Sequence, residues 1–240
     1  MEHKIGNNDH IKTLNITSNA SGAVRAARDG NVVVIVDIID MSTSAEAALD
    51  AGAVDIFAAS PDNILAPVKV NPEKIGYFAG KTALKHSSEL LIVTEPRLED
   101  KEEQRKNIQQ ALSGVRRAGV DVLDIIPNLG TEVVKLADFS EKVVLLVTQT
   151  GGVAFDAAYN YGAPAVTTGT VVRTLAKKGI KPAQESAARA VRLALKYNTG
   201  ITLVAASSNS YEDILAAEQI AKMIINTGFL SSDGNILSDY

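Results

Sequence analysis

The feature that most constrains this chain is Val32–Val36, five consecutive β-branched residues closed by Asp37. Branching at Cβ restricts rotamers in a helix and suits a pleated surface, so the run is expected to be a strand. It is apolar at both odd and even positions, so neither face meets water. Strands of that kind belong to parallel sheets covered by helices on both sides. Residues 142–147, Lys-Val-Val-Leu-Leu-Val, repeat the pattern. Aromatic residues make up only 5% of the chain and Trp is absent, so Val, Ile, Leu and Ala must build the core.

Helical and extended segments alternate around these two runs. Residues 21–29 read as a helix stopped at Gly30. Residues 42–51 read as another, with Ser42 or Thr43 as N-cap and Glu46 at capping-box spacing from Thr43. Further strands are expected at 54–58, 90–93, 120–126, 165–167 and 201–205. Further helices are expected at 72–85, 99–117, 151–161, 171–178, 181–197 and 211–226, with a short one at 131–136. Gly76 and Gly80 count against the helix at 72–85. The alternation predicts an α/β fold, a three-layer α/β/α arrangement with a mixed, mostly parallel sheet. No linker or repeat interrupts it, so residues 1–240 read as a single domain, with 1–19 and 229–240 expected to be loosely ordered.

Composition removes several function classes. There is no Cys, so disulfides, thiolate metal sites and cysteine nucleophiles are out. The formal charge of −4 is no footprint for nucleic acid. The polar start has no apolar stretch of signal-peptide length, and no apolar run is long enough to cross a membrane. A cytoplasmic protein without a nucleic-acid or membrane partner is expected. His3, His10 and His86 share no metal-ligand spacing. Lys177, Lys178, Arg189 and Arg192 read most simply as solvated helix faces.

In open α/β sheets, ligands gather beyond the carboxyl ends of the strands. Three such ends carry polar clusters. The first is Asp37-Ile38-Ile39-Asp40-Met41-Ser42-Thr43-Ser44, with two carboxylates and three hydroxyls at a helix start. Its carboxylates suit Mg²⁺ and its amides suit an anion, and a plain helix cap explains it equally well. The second is Thr148-Gln149-Thr150-Gly151-Gly152, whose glycines would let a ligand approach the backbone. The third runs from Ala205 to Asp213, where Ser210 suits an N-cap and Glu212 and Asp213 favour the helix dipole.

In this order the clusters resemble the 2-phosphosulfolactate phosphatase family, Mg²⁺-dependent phosphatases of coenzyme M biosynthesis. The matching residues are the strand ending in Asp37, then Ser42-Thr43-Ser44, then Gly52-Ala53. Asn128 and Glu132 follow, then the strand at 143–147 with its Thr148–Gly152 turn, and then Tyr211-Glu212-Asp213-Ile214-Leu215-Ala216-Ala217. Glu95 matches a further family glutamate less closely. The chain departs from the family pattern at Asp40, where the family has Arg, and at Gln149-Thr150-Gly151-Gly152, where it has Asn-Gly-Thr. Arg is a bidentate phosphate ligand, and a carboxylate in its place reverses the charge. At 4 Å two like charges cost about 4 kcal/mol at an effective dielectric of 20.

The resemblance implies a phosphatase-like hydrolase of a small phosphorylated or sulfonated acid, possessing Mg²⁺ and forming a homodimer. Asp37, Asp40 and Glu212 would be catalytic. Asp37, Asp40, Glu132 and Asp213 would hold the metal. Ser42, Thr43, Ser44, Asn128, Thr148, Thr150, Gly151 and Gly152 would hold the substrate. The departures leave a second expectation open, a non-catalytic member that binds an anionic metabolite or serves as a structural or interaction subunit.

Overall fold

The computed structural model describes residues 12–95 and 101–231. In chain order the elements are β1 Leu14–Ser18, α1 Asn19–Arg28, β2 Val32–Val36, α2 Ser42–Asp50, β3 Asp55–Ala59, α3 Pro72–His86 and β4 Leu90–Thr94. Then come α4 Lys101–Lys106, α5 Gln109–Ala118, β5 Val122–Pro127, a 3-10 helix at Gly130–Lys135, β6 Val143–Val147 and α6 Gly151–Asn160. The chain ends with β7 Val166–Thr168, α7 Lys181–Tyr197, β8 Ile201–Ala205 and α8 Tyr211–Asn226.

The strands form two four-stranded sheets, ordered β1-β8-β2-β7 and β3-β6-β4-β5. Every pairing among the described residues is parallel, so the sheet is not mixed. The fold is three-layer α/β/α. Alternation along the strands explains how one run of apolar residues serves two layers. Val33 and Ile35 of β2, Leu91 and Val93 of β4, and Val144 and Leu146 of β6 enter one core with alanines of α1, α2 and α6. Val32, Val34 and Val36 face α7 and α8. Leu90, Ile92, Val143, Leu145 and Val147 face α3 and α5. The core shared by both sheets lies around α2 and α6, the helices that leave the first two candidate clusters.

Five expectations change. Residues 14–18, inside the stretch expected to be loose, form β1 and pair with β8. Its alternating Leu-Asn-Ile-Thr-Ser suits a half-exposed edge. Phe229, in the other stretch, is fully buried, and residues 1–11 and 232–240 lie outside the described residues. The helix expected at 99–117 breaks in two. The Asp62 carboxylate accepts Gln109 N–H at 2.5 Å and Gln110 N–H at 3.2 Å, which starts α5 afresh. Residues 171–178 form no helix. Their loop is tied instead by hydroxyls, with Val172 N–H on Thr170 Oγ1 and Lys177 N–H on Thr174 Oγ1. Gly76 does not weaken α3: a Cβ there would strike the Ala111 carbonyl, so it is what lets α3 and α5 touch.

Candidate functional site at the carboxyl ends of the strands

β2 ends at Val36, and Asp37 begins the turn into α2. The turn is fixed from inside. Ser42 Oγ donates to Ile35 O at 3.0 Å and accepts Asp37 N–H at 2.9 Å. Thr43 Oγ1 donates to Ile38 O at 2.7 Å and lies 3.3 Å from Thr170 Oγ1 after β7. Ser44 Oγ reaches Asn128 Oδ1 at the end of β5. The Asn128 amide donates to the Asp40 carbonyl and, at 3.1 Å, to Glu95 Oε1 after β4. Among the described residues no side chain caps α2, so the capping box is not formed.

Asp37 meets the second cluster directly. Its Oδ2 accepts Thr150 Oγ1–H at 2.9 Å and Gly151 N–H at 2.6 Å. Its Oδ1 accepts Asp40 N–H at 3.2 Å. Thr148 Oγ1 accepts Gly152 N–H at 2.8 Å. The amides that open α6, where an external anion would sit, are therefore held by the chain's own carboxylate and hydroxyl. The glycines serve the same packing. A Cβ on Gly151 would strike Asp37, and one on Gly152 would strike the Ala59 carbonyl.

The third cluster joins through Asp213 rather than Glu212. Asp213 Oδ1 accepts Ile38 N–H at 2.8 Å and Oδ2 accepts Ser207 N–H at 3.3 Å. Glu212 is exposed and accepts the Ser210 hydroxyl at 3.2 Å. Glu132 lies on the 3-10 helix, half exposed and paired with Lys135. The structure thus gathers Asp37, Asp40, Ser42, Thr43, Ser44, Asn128, Thr148, Thr150, Gly151, Gly152 and Asp213, and leaves Glu132 and Glu212 outside.

Burial pushes the Asp37 carboxyl up to about 6, with the Asp40 and Asp213 carboxylates adding to the rise and the Thr150 hydroxyl opposing it. Burial also raises Asp213. A raised carboxyl is not in itself a mark of catalysis here. Burial pushes Asp156, in the middle of α6, to about 6 as well. That residue only ties down a loop, accepting Asn71 N–H at 2.7 Å and the Ser60 hydroxyl at 3.1 Å.

These donors do not suit the expected Mg²⁺. Among the described residues, no three Asp, Glu or His side chains are grouped to hold a metal ion. The oxygens of Asp37 and Asp213 already take N–H and O–H donors. Beside the network lies a cavity of about 460 Å³. Asp62, Asn63, Glu95, Thr148 and Gln149, beyond the ends of β3, β4 and β6, and Asn107, between α4 and α5, supply its polar lining.

A buried charge network under α2 was not legible in the sequence. Glu46 is fully buried and binds Lys177 Nζ at 2.8 Å and Arg189 Nη2 at 2.6 Å. Lys177 also meets Asp50 at 2.5 Å. The two cations are ties between α2, the loop after β7 and α7, and not solvated faces. They hold the Glu46 carboxyl below its ordinary value against the opposing effect of burial. A Glu inside an Ala-rich buried face was the available signal.

No family model, curated protein or solved structure matches the chain.

Proposed function

We propose that this chain is a divergent relative of the 2-phosphosulfolactate phosphatases that binds a small polar acid at the carboxyl ends of its strands and does not hydrolyse it with Mg²⁺. The observation that carries the reading is the convergence on Asp37 and its turn of clusters more than one hundred residues apart, through Thr150, Gly151 and Asp213. A series of short motifs that meet at one place is what a shared site requires. The geometry favours binding over turnover because these carboxylates are engaged as acceptors for backbone and hydroxyl donors. Asp37 also fills the anion seat at the start of α6. The ligand then belongs in the neighbouring cavity, where Asn63, Asn107, Thr148 and Gln149 offer neutral donors and acceptors, beside Asp62, which accepts the Gln109 and Gln110 amides, and Glu95, which accepts the Asn128 amide. Phosphorylated and sulfonated acids are the class to test first, because they are the substrates that the resemblance implies.

The second reading is hydrolysis. It is favoured by one observation, that a carboxyl raised to about 6 sits at a strand end beside two more carboxylates. A group near neutrality can serve as a general acid or base. In that reading Asp37 would move a proton at its Oδ2, with Thr150 orienting it. The Mg²⁺ of the resemblance would supply charge neutralisation, but the donors present do not fit it, so no step is routed through it.

Both readings are decided in the same mixtures. Thermal shift against a panel of phosphorylated and sulfonated carboxylic acids is run with phosphate release, with and without Mg²⁺. Stabilisation by one class without phosphate release is the expected result. Release that disappears in Asp37→Asn would overturn binding in favour of hydrolysis. No shift and no release would overturn both.

A further inference from the structure

The place where the two sheets part holds a second cavity, at the opposite end of the strands from Asp37. Among the described residues β3 pairs with β6 alone and β7 with β2 alone, so each presents there an unpaired backbone edge. A cavity of about 430 Å³ lies between these edges, lined by Ile56 and Phe57 of β3 and by Val166, Thr167 and Thr168 of β7. Unpaired edges are normally covered, and this gap is of the size that small ligands occupy.

The lining has an apolar wall and a cationic wall. Phe57, Phe155 and Tyr159 form an aromatic group, with Phe57 edge-on to Tyr159 at 6.5 Å and Phe155 stacked on it at 6.5 Å. Across from them α7 contributes Arg189 and Lys196. Arg189 is held rigid: its Nε donates to Thr167 Oγ1 at 3.1 Å, and its Nη2 donates to Thr168 O at 3.0 Å and to Glu46. Its Nη1 has no partner among the described residues. Lys196 lies over the Tyr197 ring at 5.4 Å and meets no acidic side chain among them. Asp55, at the start of β3, also lines the cavity and is raised by burial. Arg189 is already ion-paired with Glu46, which leaves Lys196 as the cation of the lining without an acidic partner among the described residues, so the site suits a single negative charge and not a dianion.

We infer that this cleft binds a small molecule with a flat apolar body and one carboxylate, the body against Phe57, Phe155 and Tyr159 and the carboxylate toward Arg189 Nη1 and Lys196. Charge-assisted hydrogen bonds to a preorganised guanidinium supply the selectivity. The site is independent of the one proposed above, since it shares no lining residue with the carboxyl-end cavity.

The probe is 4-phenylbutyrate, with 4-phenylbutanol and 4-phenylbutylamine as matched controls of the same body. Amide shifts are followed by ¹H–¹⁵N NMR on the full chain. The expected result is saturable movement of Ala165, Thr167 and Leu193 by the carboxylate, with the alcohol and the amine at least about tenfold weaker. Lys196→Ala, an exposed change that leaves the core untouched, is expected to weaken the carboxylate several-fold and leave the alcohol unchanged. Leu193→Trp, which fills the gap, should remove binding of all three. No saturable shift, equal binding of alcohol and carboxylate, or an unchanged affinity in Lys196→Ala would overturn the inference.

Discussion

Asp37 shows how far a single residue could be read. Its place at the mouth of a buried strand follows from the β-branched run before it. That it would seat itself on α6 could not be read, because the contact joins residues 37 and 151 and depends on Gly151 having no Cβ. Two predictions belong to this residue. Asp37→Ala leaves the buried amide of Gly151 and the hydroxyl of Thr150 without their acceptor, and each such loss costs about 1–3 kcal/mol. Urea denaturation of the variant should show a loss of that order. The second concerns pH. The folded pKa, about 6, lies above the ordinary 3.8, so the folded state binds more protons between those values. Stability from this group therefore falls as pH rises from about 4 to 6, by an amount on the order of 3 kcal/mol if the whole shift is expressed. Asp37→Asn should flatten that part of the wild-type profile. An unchanged slope would mean that Asp37 does not titrate there.

At the scale of elements, strands buried on both faces were legible and ties between elements were not. Val32–Val36 and Val143–Val147 declare themselves by composition. β1 escaped because an edge strand alternates with polar residues. The break between α4 and α5 escaped because its cause, Asp62, lies 47 residues away. Asp62→Ala should therefore cost about 1 kcal/mol as a lost cap and speed hydrogen exchange at the start of α5 more than at its end. Glu46 carries the larger effect. Removing one partner of a buried charge network strands the others, at about 3–5 kcal/mol. Glu46→Ala should lose that much in chemical denaturation, and the loop around Thr174 should gain exchange as Lys177 is released. An Asp62 or Glu46 variant as stable as the wild type would show that these contacts are incidental.

The whole molecule is set by two sheets that share one core around α2 and α6. Because Val33, Leu91, Val144 and Phe155 belong to the same cluster, neither sheet can lose its packing alone. Urea unfolding followed by far-ultraviolet circular dichroism and by tyrosine fluorescence should give coincident transitions, and separated midpoints would show two independent units. The same arrangement explains which part of the site was legible. Parallel strands put all their carboxyl ends on one side, so the motif order alone indicated that the clusters could meet. Whether their carboxylates would face a metal or the chain's own amides depended on side-chain geometry that no motif spells out. The central claim is that they face the amides. Its most direct test is titration of the chain with Mg²⁺, read at the ¹⁵N amides of Ile38, Asp40, Gly151 and Ser207, which donate to Asp37 and Asp213. The account predicts no saturable movement of these four signals. Saturable movement of them together, lost in Asp37→Asn, would contradict it and return the site to metal chemistry.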